Sequence, residues 1–148
     1  MTEQLKQALQ DIVNLSDEQK YDLGKDSLNK FLNGLARRGI PKDQLPGILF
    51  GFVKFFVTAD GKTTNGEYDF FVHVTGINVP PQEFARFAAE GDLAELQASA
   101  YNFASMLNDE DREALALFGA ALLSADDTIT QEEADMIDRL LTCQAEQA

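Results

Sequence analysis

The chain has 148 residues, of which 45% are hydrophobic with 11 Phe and no Trp, and its 25 acidic and 12 basic residues give a formal net charge of −13. That length and composition predict one domain with a full core. The acidic balance speaks against direct nucleic-acid binding, which needs many Lys and Arg to neutralise phosphates, and the single cysteine, Cys143, rules out an internal disulfide.

No apolar run reaches the length of about 18 residues that a membrane span needs. The richest stretch, Ile48 to Val57, is interrupted by Lys54. The start, Met1-Thr2-Glu3-Gln4-Leu5-Lys6, lacks the basic flank and apolar core of a signal peptide. With one cysteine, this gives a cytoplasmic expectation.

Strand signals are scarce and helix punctuation is frequent, so the expected fold is all-α with seven or eight helices. Residues 2–14 place Leu5, Leu9, Ile12 and Val13 on one face. Ser16-Asp17-Glu18-Gln19 is a capping box. It opens a second helix that runs to about Arg37 despite Gly24 and Gly34, and Gly39-Ile40-Pro41 ends it. From Lys42 to Ala59 apolar side chains cover nearly the whole circumference, which predicts a central helix. Gly51 within it is expected to allow close approach of a neighbour. A helix from Asn65 to Val74 ends at Gly76, and Pro80-Pro81 opens another carrying Phe84, Phe87 and Ala88. Gly91-Asp92 precedes a helix over residues 93–107. Asn108 caps the next helix, whose first turn holds Asp109, Glu110 and Asp111, where carboxylates complement the helix dipole. That helix is apolar on all sides from Leu115 to Leu123. The last runs from Gln131 to Cys143.

One phrase occurs twice. Residues 58–69 and 124–135 both fit Ala-Asp-(Gly/Asp)-x-x-Thr-x-x-Glu-x-Asp, 66 residues apart. Residues 42–76 align without gaps on 108–142, pairing Phe52 with Phe118, Phe56 with Leu122 and Phe71 with Ile137. The expected architecture is therefore a single domain, residues 1–148, built around two related helix–turn–helix units, with their turns on a shared side.

Much of the phrase is turn chemistry. Thr64-x-x-Glu67 and Thr130-x-x-Glu133 are capping boxes. Gly61 sits where a helix end needs a left-handed residue, and Ile129 is placed as a staple. Asp60 and Asp126 are not explained in this way, since a carboxylate at a helix C-terminus opposes the dipole. Each unit also adds Asp69 or Asp135 one turn into its second helix. Should the two turns meet, these carboxylates would crowd, and a hard divalent cation, Ca²⁺ or Mg²⁺, would relieve their repulsion. The loops are not EF-hands. Counting from Asp60, positions 3, 5, 6 and 12 are Lys62, Thr64, Asn65 and Phe71; the second copy has Thr128, Thr130, Gln131 and Ile137 there.

A helix ending in Ala-Asp-Gly, a short turn, then Thr-x-x-Glu opening the next helix resembles the tellurite-resistance TerB-like family. The resemblance covers about residues 25–142 and is strongest at 49–76 and 115–141. It implies an all-helical, non-catalytic domain with links to bacterial stress or metal resistance. It also implies divalent-cation sites, which fall by match on Asp60, Glu67, Asp126 and Glu133. Asp127 departs from the family's usual Gly.

Other constellations are thin. His73 is the only histidine, so no histidine metal centre or triad can form; a helix-flank role is expected. Cys143 has no basic neighbour closer than Arg139. Without Trp platforms, a carboxylate-pair glycosidase is disfavoured. The resulting expectation is a non-enzymatic domain with a protein partner, no nucleic acid and no fixed cofactor beyond a divalent cation. The alternative is an acidic interaction module with no metal site.

Overall fold

Capping and turn residues set the helix boundaries first. A computed structural model describes residues 3–58 and 64–142 and holds, among them, eight α-helices and two 3₁₀ turns, with no strand. Helix α1 is Glu3–Val13, with Leu9 and Ile12 buried. Helix α2, Asp17–Arg37, opens on Ser16, whose side chain accepts from Gln19 N while the Gln19 side chain accepts from Ser16 N, as the capping box predicts. Helix α4, Asn65–Thr75, stops at Gly76 in the left-handed conformation (φ 71°). Helix α5 is Pro81–Ala89, and α6, Leu93–Ser105, is capped by Asp92. Helix α7, Asp109–Leu123, is capped by Asn108 and runs into a 3₁₀ turn, Ser124–Asp126. Helix α8 is Gln131–Thr142.

The most extensive packing is between α2 and α7. Helix α7 is buried on almost every face, from Ala114 to Leu123, as its uniform apolarity predicts. Glycine makes this approach close. A Cβ on Gly34 of α2 would lie 2.0 Å from Asp111 Oδ1 of α7; toward the third helix, one on Gly119 of α7 would lie 2.2 Å from the Phe56 ring.

Two expectations about the third helix are corrected. The segment begins as a 3₁₀ turn, Lys42–Gln44, and becomes helix α3 only over Leu45–Val57, with Pro46 in its first turn. It is also central only in its C-terminal half. Its inner side, with Phe52, Val53, Phe55, Phe56 and Val57, is buried, but Leu45, Ile48 and Phe50 are only half-covered. A Cβ on Gly51 would meet nothing within 4 Å, so this glycine does not admit a neighbouring helix. Helices α5 and α6 flank α3 without closing over it, and clefts remain on either side. No helix among the described residues is long and apolar enough to cross a membrane.

Candidate functional site: two converging acidic turns

The first turn rejoins the described chain at Thr64. Its backbone N–H donates to Glu67 Oε1 at 3.0 Å, and Glu67 N donates back to Thr64 Oγ1 at 3.1 Å. The second turn repeats this: Thr130 N to Glu133 Oε1 at 2.8 Å, Glu133 N to Thr130 Oγ1 at 3.2 Å. Both glutamates are buried. Each is thus built into the start of its own helix, where a carboxylate satisfies backbone donors and complements the dipole.

The start of α4 meets the second turn. The Thr64 hydroxyl donates across the interface to Asp126 Oδ2 at 2.5 Å and lies 3.2 Å from Glu67 Oε1, so its single proton serves the shorter contact. Gly66, in the first turn of α4, lies so close to the second turn that a Cβ there would sit 2.4 Å from Asp126 Oδ1 and 2.9 Å from Ala125 O. Asp126 therefore faces the N-terminus of α4. The placement that opposes the dipole of its own helix is favourable to that of α4 in the first unit.

Of the four expected ligands, Glu67 and Asp126 share Thr64, and Glu133 holds the second cap. Asp60 lies outside the described residues, as do Gly61 and Cys143. The outlying acids part company: Asp135 accepts from Gln131 Nε2 at 2.7 Å on the exposed side of α8, whereas Asp69 lines a small cleft of about 70 Å³ with Asp17, Lys20 and Tyr21. Among the described residues, no group of three or more His, Cys, Asp or Glu is placed to hold a metal ion.

Tyr21 and His73 lie face to face beside this cleft, ring centroids 4.4 Å apart, and His73 Nδ1 sits 2.8 Å from Asp69 O. His73 is exposed, in keeping with a helix-flank role. Burial, then the nearby charges of Asp17 and Asp69, push the Tyr21 phenol above its ordinary pKa.

One residue of this region escapes a sequence reading. Lys20 is only 1% exposed; its Nζ donates to Ser124 O at 2.7 Å and to Asp127 Oδ1 at 3.0 Å. The available signal was its register: residues 20, 24, 27, 28, 31 and 35 form the buried stripe of α2, and a lysine on such a stripe needs a partner. Asp127, where Gly was expected from the resemblance, adopts the left-handed conformation itself (φ 65°). Comparison with protein-family models, curated proteins and solved structures finds no match to this chain.

Proposed function

We propose that the chain is a non-enzymatic, TerB-like helical domain of the bacterial cytoplasm that works by docking a basic amphipathic helix from another protein along the open side of α3. The supporting observation is that α3, the most apolar of the described helices, keeps Leu45, Ile48 and Phe50 only half-covered beside an open stripe of Gly47, Gly51, Lys54 and Thr58. A cleft of about 150 Å³ between α3 and α6 is walled by Ile48, Leu96 and Phe103, and Gly51 lies bare in it. It shares Leu96 with a second cleft of about 280 Å³, which in turn shares Glu90 with a third, of about 330 Å³, between α3 and α5. The clefts join through a stretch that also carries Lys54, Thr58 and Glu90, and clefts between helices accept a further helix through i, i+3, i+4 anchors.

Charge selects the occupant. A second copy would bring −13 against −13, whereas a basic partner is attracted at long range. The test is NMR mapping with two designed amphipathic peptides sharing one apolar face, one cationic and one anionic. The cationic peptide should shift the amides of Ile48, Gly51, Leu96 and Phe103. Shifts confined to other surfaces, or none with either peptide, would remove the reading. Self-association of the free chain in sedimentation would replace the foreign helix by a second copy.

A second reading, a divalent cation shared by the two turns, is favoured by the Thr64–Asp126 contact, which puts an acid of one unit against the other. Under it, Ca²⁺ or Mg²⁺ at 100 times its dissociation constant adds about 2.7 kcal/mol of stability, and Asp60→Asn with Asp126→Asn abolishes the gain. A melting temperature indifferent to cations and chelators disposes of it.

A further inference from the structure

We propose that Lys20 is a tethered cation for the second turn: its ammonium, supplied from α2, holds Ser124 O and Asp127 Oδ1 and so fixes the turn against the core. The proposal goes beyond both readings above and does not depend on either. A lysine 1% exposed is rare, because removing an ammonium from water is costly unless it is paired and hydrogen-bonded. Here the partners are of the kind that hard cations take, a backbone carbonyl and a carboxylate oxygen.

The electrostatics of the position agree. Ser124 is the C-cap of α7, at the negative end of the helix dipole, and its carbonyl accepts from Asp127 N at 2.9 Å as well as from Lys20. The turn that follows carries two adjacent acids, Asp126 and Asp127, and the small cleft beside Lys20 adds Asp17 and Asp69. A positive charge is thus placed beside the C-terminus of α7 and near Asp17, Asp69 and Asp127. It comes from α2, the helix that packs most extensively on α7, so the same side chain that neutralises the turn also fixes it against the core. Asp127 completes the arrangement. Its left-handed backbone (φ 65°) is a conformation in which Gly is usual, but Gly has no side chain to reach the ammonium.

The experiment compares melting of the full chain with Lys20→Met, Lys20→Ala and Asp127→Asn variants, each checked by circular dichroism. Lys20→Met keeps most of the stem and deletes the charge; its melting temperature should fall by a few degrees, since the Asp127 side chain it leaves behind is 80% exposed and keeps its water. Lys20→Ala leaves a slot that propylammonium fits, and that ion should restore part of the loss while the neutral isostere 1-propanol should not. Asp127→Asn retains the left-handed preference and removes the carboxylate. It should lower the melting temperature by a few degrees, and should cost less when combined with Lys20→Met than alone, so the pair is informative even where Lys20→Ala fails to fold. Equal melting of wild type and Lys20→Met, rescue by propanol equal to that by propylammonium, or strictly additive effects of the two substitutions would each overturn the proposal. A response of the wild type to Ca²⁺ bears on the divalent-cation reading alone.

Discussion

Thr64 and Thr130 occupy the same place in the repeated phrase, yet the structure gives them unequal work. Each caps a helix, but only Thr64 also donates to a carboxylate of the other unit. Loss of an N-cap costs about 1 kcal/mol. Thr64→Ala should therefore destabilise more than Thr130→Ala, and the difference should vanish in an Asp126→Ala background, which has no acceptor for the Thr64 hydroxyl; denaturant melts measure it, and equal losses in the wild-type background would contradict the cross-unit contact. Tyr21 makes a second prediction at this scale. Its phenol is held above its ordinary pKa by burial and by Asp17 and Asp69, so the folded chain keeps the proton that the unfolded chain releases. The stability this gives is complete below the unfolded pKa of about 10 and is lost as pH rises through the folded value. Stability should fall in that alkaline window, and Tyr21→Phe should flatten the fall. An identical alkaline profile in Tyr21→Phe would show that this residue is not responsible.

At the level of helices, glycine separates packed sides from open ones. Gly119 faces the Phe56 ring with no room for a methyl group, whereas Gly51 faces empty space on α3. Gly51→Ala should stabilise by about 0.5–1 kcal/mol through the backbone alone; Gly119→Ala should destabilise, since the core must shift to admit it. Opposite signs in a pair of thermal melts are the expected result, and the same sign for both would contradict the placement of α3. This pair also shows where the sequence was legible. Caps at Ser16, Thr64 and Asn108 could be read because each bond spans three residues. The exposed side of α3 could not, because apolarity around a helix states how much surface wants cover, not which neighbours arrive. The same limit hid Lys20, whose carbonyl partner lies 104 residues away. The repeat did carry long-range information: two copies of one turn predicted a shared side, and the start of α4 meets the second turn where Gly66 faces Asp126.

The molecule as a whole carries −13, and helix packing brings several of those charges to the place where α4 meets the second turn. Self-repulsion among exposed carboxylates is screened by salt, with a Debye length of about 10 Å at 0.1 M. Melting temperature should accordingly rise between low salt and about 0.15 M NaCl; a fall would mean that favourable pairs outweigh the repulsion. The same charge that opposes self-association favours a basic ligand on the open side of α3. That docking is tested most directly by the affinity of the cationic amphipathic peptide for wild type and for Gly51→Leu, which fills the cleft floor while improving helix propensity. The account predicts a folded, undiminished Gly51→Leu domain whose binding is weakened at least about tenfold, equivalent to 1.4 kcal/mol. Equal affinity of the two chains would contradict it.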